Sequence, residues 1–327
     1  MPIPEHQASL ERRRAIAAVD SAEPGAGGRP PREGAIVGGR FRLGRLLTRG
    51  GTAAIYAAER YPCGGEVVIK LAREDANHMR HLRAHLEREA ELLGRLAHPH
   101  CVTLLDSGTA GDWPYLALER LDGEPLTDLL ATDRLTPARA VTLARQLLSA
   151  LQHAHSRGVL HLDVKPDNAH VTPTGDGRDL VTLLDFGAAR ATAVTGEPGS
   201  PSPAALPPDP DGRGVVLGTP SVMAPEQIRL ESIDARADVY AAGILLYQMI
   251  VGHKPFVATE TRELLLMHLY ESPVPPRRAR GRRKLSAALE RAVLKAMAKD
   301  PADRFSSCAA LASALAETPE GRASGRR

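Results

Sequence analysis

The spacing of apolar positions changes once along the chain. Between residues 40 and 120 they come in short runs of strand character: RFRLGRLLT (40–48), AAIYAAER (53–60), EVVIKLA (66–72), VTLLDSG (102–108) and PYLALER (114–120). One helical run interrupts them, from about His78 to Leu96. Its apolar stripe is Leu82, Leu86, Leu93 and Leu96, and the helical slot between them is filled by Glu89. From residue 124 onward helical spacing dominates. In TPARAVTLARQLLSALQHAHSRG, Thr136 is placed to cap, Pro137 opens the first turn and Gly158 stops the helix. His153, His155 and Arg157 fall near its C-terminus, where the helix dipole favours positive charge. Residues 239–251 are apolar on every side, which predicts a wholly buried helix. The pattern predicts an α+β protein with a small β-rich lobe followed by a larger α-rich one. A cleft between such lobes is the expected ligand site.

Three stretches do not fit this plan. Residues 1–38 are rich in Gly, Pro, Ala and Arg and predict a disordered leader, with a short helix expected around Ser9 to Val19. Residues 317–327 read as a frayed, disordered tail, and 195–214 as a long Pro-, Gly- and Ser-rich loop. Composition adds exclusions. At 43% hydrophobic and 25% charged residues, the chain is neither collagenous nor fully disordered, and its 327 residues can bury a core without staples. The longest apolar run, Val239–Val251, contains Gln248 and is shorter than the roughly 18 residues of a membrane span. The opening MPIPEHQASLERRRA lacks the apolar segment of a secretory signal. Cys63, Cys101 and Cys308 form no C-x-x-C pair, as expected of free thiols in a reducing, cytoplasmic setting. Charge matters only once located. Lys and Arg total 42 against 39 Asp and Glu, a net of +3, yet RRARGRRK (277–284) alone holds six basic residues. The basic character is local, so neither nucleic acid nor membrane is an expected partner. The run itself reads as a solvated loop, with a patch for an acidic partner as the sharper alternative.

Certain charged residues stand where charge is costly. Lys70 ends the apolar run Val67-Val68-Ile69, and an ammonium buried there needs a partner. Glu89, in the middle of a buried helical stripe, needs a cation. Each is therefore the other's expected partner. The strand LVTLL (180–184) runs into Asp185-Phe186-Gly187, and His161-Leu162-Asp163-Val164-Lys165-Pro166-Asp167-Asn168 lies upstream. The Asp and Asn oxygens of that segment, with Asp185, make a hard-oxygen site of the kind that suits Mg²⁺, which keeps waters and bridges phosphates.

In this order the residues resemble the serine/threonine protein kinases, specifically the bacterial eukaryotic-like (Hanks-type) group. The signatures are a glycine-rich turn, V-x-I-K at 67–70, a helix Glu at 89, H-x-D-x-K-x-x-N at 161–168, D-F-G at 185–187 and A-P-E at 224–226. Gly218-Thr219-Pro220, the DVYAAG that begins at Asp238 and PADRF at 301–305 agree with them. The resemblance implies a two-lobed protein kinase fold over residues 39–316, with an N-lobe of about 39–120 and a C-lobe of about 121–316. It implies ATP and Mg²⁺ as cofactors and protein Ser/Thr hydroxyls as acceptors, with autophosphorylation as a further reaction open to it. Lys70, held by Glu89, would contact the α- and β-phosphates. Asp163 would take or orient the hydroxyl proton, Lys165 would steady the γ-phosphate, and Asn168 and Asp185 would hold metal. Leu47, Gly50, Gly51, Ile55 and Val68 would line the nucleotide, Glu119 and Leu121 would offer hinge backbone to adenine, and His170 would pack beneath it. Arg304 would pair with Glu226, and Thr219 would bond the catalytic Asp and Lys.

The chain also departs from the pattern. Thr48 and Ala53 stand where the phosphate loop has glycine, Leu162 replaces the Arg of H-R-D, and Val222 replaces an aromatic residue. The alternatives are a pseudokinase acting as a nucleotide-binding or scaffold module, and a small-molecule kinase related to aminoglycoside phosphotransferases. The A-P-E and P-x-D-R elements stand against the second.

Overall fold

The computed structural model describes residues 30–50, 53–73, 79–132, 135–191, 218–279 and 285–324. The expected helix near Ser9, the loop 195–214 and Gly51 lie outside them. The chain divides into two compact units. One comprises the residues through Ala90 with Leu104–Arg120; the other comprises Glu91–Thr103 with everything from Leu121.

The first unit is a sheet of β1 (Ile36–Val37), β2 (Phe41–Arg49), β3 (Ala53–Arg60), β4 (Glu66–Ala72), β5 (Leu104–Ala110) and β6 (Trp113–Glu119), ordered β1-β2-β3-β4-β6-β5. Every pairing is antiparallel. Period-2 alternation sorts the side chains. Val37, Phe41, Leu43, Val67, Ile69, Leu71, Tyr115 and Ala117 pack together on one face. The intervening positions present the other, where Ile55 lies opposite Lys70 and Lys70 opposite Leu116. Helix α1 (Met79–Gly94) completes this unit, and its last turn passes into the second.

The second unit is built on helices. After β7 (Glu124–Pro125) and α2 (Leu126–Thr132), α3 (Pro137–His155) starts at Thr136, whose Oγ1 accepts from the Arg139 amide at 3.2 Å. It stops before Gly158, whose φ of 69° is left-handed. Two small sheets follow, β9 (Ala169–Pro173) between β7 and β10 (Asp179–Leu183), and β8 (Val159–Leu160) with β11 (Arg190–Ala191). Next come α4 (Pro225–Ile228) and α5 (Arg236–Val251). Helix α5 is buried from Ala237 to Val251 apart from Gln248, so it is the hydrophobic axis against which α3 packs. The rest is α6 (Thr261–Tyr270), α7 (Ala287–Ala296), α8 (Cys308–Ala316) and α9 (Pro319–Ser324). No helix among the described residues is long and apolar enough to cross a membrane.

Three sequence expectations are corrected. The disordered leader does not extend to residue 38. Pro31 and Val37 are buried, and residues 34–35 are tied to β2 by Gly34 N–H donating to Leu43 O at 2.8 Å and Leu43 N–H donating to Ala35 O at 2.9 Å. The tail is not frayed from residue 317 either. Helix α9 sends Glu320 back to accept from the Ser286 amide at 2.8 Å and the Ser286 hydroxyl at 2.7 Å. Residues 91–103, expected in the N-lobe, group with the second unit. In the first two cases long-range contacts override a local composition of Pro, Gly and polar residues.

Candidate active site

In the first unit, β4 carries Lys70 on the face opposite the apolar cluster. Its Nζ donates to Glu89 Oε1 at 2.7 Å and Oε2 at 2.8 Å. Glu89 lies in mid-helix on α1, and the two side chains are 9% and 1% exposed. Water cannot screen a pair buried so far, and separating it would strand a charge in low dielectric. Ile55, directly across from Lys70, and Val68, two residues before it, share its face. Glu119 is the last residue of β6, opposite Val67. Leu47 is exposed on β2, where the β2–β3 register is irregular.

The two ends of the glycine-rich turn are tied together. Gly50 N–H donates to Ala53 O at 2.9 Å, and Arg73 donates to Gly50 O at 2.7 Å. Ala53 begins β3, pairs with Ala72 and is only 4% exposed. Its methyl group is a strand core contact, not part of an open loop.

In the second unit, His161 and Leu162 follow β8, and Asp238 organises them. Its carboxylate accepts from the amides of His161 and Leu162 at 2.9 and 2.8 Å and from His155 Nε2 at 2.7 Å. Burial pushes this carboxyl up, but the His155 hydrogen bond and the neighbouring imidazoles bring it below its ordinary value. The backbone held this way includes Leu162 at φ 62°, a left-handed conformation that costs an L-residue energy and persists only under such constraint. His161 stacks edge-on against Phe186 with ring centroids 4.7 Å apart, and its Nε2 lies 3.0 Å from Leu184 O.

This chain segment presents Asp163. Its Oδ1 accepts from the Thr219 amide at 2.9 Å, and its Oδ2 from Lys165 Nζ at 2.7 Å. Lys165 Nζ also donates to Thr219 Oγ1 at 2.5 Å. Asn168, in the 3₁₀ turn Pro166–Asn168, donates its amide to Asp163 O and Oδ2 at 2.9 and 3.1 Å. With its amide nitrogen turned to Asp163, the Asn168 side chain has its carbonyl oxygen as its acceptor. Asp185 is exposed and left-handed at φ 54°, and its Oδ1 accepts from the Gly187 amide at 3.2 Å. Two such oxygens fit an ion that completes its shell with phosphate and water. Among the described residues no group of three His, Cys, Asp or Glu side chains is arranged to hold a metal by itself. Gly218, with φ 110°, precedes Thr219. A Cβ there would lie 2.7 Å from Leu162 O, so glycine alone lets the two segments close on Asp163.

Leu121 is half-buried in the second unit, and His170 lies on β9 opposite Pro125 and Thr182. Lower in this unit Arg304 donates to Glu226 Oε1 and Oε2, both at 2.7 Å. The sequence reading missed His155. It was assigned to the helix dipole, whereas it is a buried partner of Asp238, 83 residues away. No local signal marks that pairing.

Asp163 is thus an acidic side chain held by a lysine, a side-chain amide and a main-chain N–H. Comparison with known proteins supplies the class. Residues 41–316 match the protein kinase domain family. Serine/threonine-protein kinase pkn3 of Myxococcus xanthus is 36% identical over 284 residues, covering 86% of this chain and 50% of that protein. Pkn1 of the same organism is 35% identical over 277 residues, or 85% of this chain and 38% of the relative. PknB of Mycolicibacterium smegmatis is 33% identical over 289 residues, 87% and 44% of the two chains. The chain therefore belongs to the protein kinase family, in its bacterial Hanks-type serine/threonine group. It spans half or less of the length of these curated relatives.

Proposed function

We propose that the chain transfers the γ-phosphate of ATP to Ser or Thr hydroxyls of proteins, itself included, in the cytoplasm. The observation that carries this reading is the Lys165–Asp163–Thr219 network, which holds a carboxylate ready for a hydroxyl while a lysine stands beside it. The acceptor oxygen forms a bond to the γ-phosphorus as the bond to the β–γ bridging oxygen breaks. ADP leaves, and the hydroxyl proton passes to Asp163. Lys165 balances charge on the transferred group, and Lys70, kept in place by Glu89, holds the α- and β-phosphates. Mg²⁺, which Asn168 and Asp185 would hold, would neutralise phosphate charge. Leu47, Gly50, Gly51, Ile55, Val68, Glu119, Leu121 and His170 are assigned to the nucleotide. Little covalent work falls to the protein, so positioning and charge supply most of the rate. The retained Lys70, Glu89, Asp163, Asn168 and Asp185 favour an enzyme over a pseudokinase.

The test is incubation with γ-labelled ATP, Mg²⁺ and a basic acceptor protein, beside Asp163→Asn and a chelator control. Label on Ser or Thr is expected, reduced on the order of 10²-fold or more in the variant and abolished by the chelator. Equal labelling by Asp163→Asn would remove the assignment.

A further inference from the structure

Beyond Thr219 the chain makes a 3₁₀ turn, Pro220–Val222, in which Val222 is buried. Thr219 is bonded to Asp163, and Ser221 is only two residues on, so their Cα atoms lie within about 7.6 Å. Lys254 reaches this turn from outside it. It follows Gly252, the left-handed residue that ends α5, and its Nζ donates to Ser221 Oγ at 2.9 Å. Among the described residues, no carboxylate pairs with this ammonium.

The described residues around it do not neutralise it. Glu226, the acidic residue of the adjoining α4, is consumed by Arg304. Lys299 donates to the carbonyls of Met267 and His268 at the end of α6, and its ammonium lies over the Phe256 ring. Burial holds the His268 imidazole down near 4, and Lys299 and Lys254 push in the same direction. Burial likewise lowers Lys299, with Arg304 adding to the effect, and Glu271 opposes it. Among the described residues Lys254 is thus a half-buried cation with a hydroxyl partner and no counter-ion, one short turn from the group proposed to receive the acceptor's proton.

We propose that Lys254 is a specificity-determining residue that selects acceptor segments carrying Asp or Glu close to the phosphorylated hydroxyl. The proposal rests on the kinase reading and names the substrate class for that site. An incoming carboxylate would supply the missing charge and exchange a lysine–hydroxyl contact for a charge-assisted one.

The experiment compares Ser peptides flanked by Glu with the same peptides flanked by Gln, measuring kcat and KM separately. Wild type is expected to show a KM about threefold to fivefold lower for the Glu set, the scale of a partly exposed ion pair. Lys254→Gln should lose that preference, through KM and not kcat. Lys254→Glu should shift it toward Lys-flanked peptides. Ser221→Ala, which keeps the cation, should retain the Glu preference, separating charge from disruption of the turn. A parallel measurement without ATP follows fluorescence anisotropy of labelled peptides, where the Glu peptide should bind more tightly and lose its advantage at 1 M salt. Equal KM and equal binding for the two sets, or a preference that survives Lys254→Gln, would overturn the proposal. Absence of phosphate transfer to every peptide would count against the kinase reading, and the binding arm would still decide the role of Lys254.

Discussion

Two buried acid–base pairs, one in each unit, look alike and are built for different ends. Lys70–Glu89 and Arg304–Glu226 both contact two carboxylate oxygens at 2.7–2.8 Å. Arg304, however, is saturated. Beyond Glu226 it donates to the carbonyls of Ala298, Arg236 and Lys299, so all five of its N–H groups are placed. Its guanidinium also lies 4.9 Å from the Tyr240 ring centroid. Such an ion is a rigid junction between α4, the start of α5 and the loop after α7. Lys70 offers a compact ammonium on a flexible stem, a donor that can be shared with phosphate. Ion-pair burial alone therefore does not mark a functional site. What separates the two is the kind of cation: a planar fork with all five N–H groups placed at Arg304, and a rotatable ammonium at Lys70.

The comparison can be broken most decisively at Arg304. Arg304→Met leaves Glu226 buried without a counter-charge, and a loss of about 3–5 kcal/mol is expected in chemical denaturation of the full chain. A loss under about 1 kcal/mol would remove its structural role. Lys70→Arg sharpens the other side. The charge and the Glu89 partner are kept, so the melting temperature should move little. A planar fork cannot follow the ammonium to phosphate, and phosphotransfer should fall on the order of 10²-fold, about 2.7 kcal/mol of barrier. Retained turnover would show that any cation serves there. The smallest effect is expected at Ala53→Gly. Because Ala53 is a buried strand residue, the change should cost about 0.5–1 kcal/mol of stability. Apparent ATP affinity measured by titration should change less than threefold; a larger gain would mean that this methyl group obstructs the phosphates.

The legible parts of the molecule were those set by local periodicity and by misplaced charge. Short apolar runs of strand character placed β3, β4 and β6, and the Thr136–Pro137 start and Gly158 stop placed α3. Glu89 stood out because a carboxylate interrupted an apolar helical row, and Lys70 because it ended an apolar strand. Residues 30–38 and α9 were misjudged because their order comes from partners elsewhere, Leu43 and Ser286, rather than from their own composition. His155 was misread for the same reason.

The sequence by itself determined the strand-then-helix order, the wholly apolar α5 and the succession of charged residues whose likeness points to kinases. A period of 2 or 3.6 is a property of neighbouring residues, and so is an ionisable group within an apolar run. Beyond the Lys70–Glu89 pair and the contacts that the family likeness implies, only the tertiary structure decided which groups meet. Asp238 collects His155, His161 and Leu162 from 76 to 83 residues away. Arg304 is saturated by carbonyls on separate segments, and Lys254 is set beside Ser221 from the far end of a buried helix. The physical reason is that a hydrogen bond acts over about 3 Å, and chain separation carries no record of which distant segments folding will bring that close.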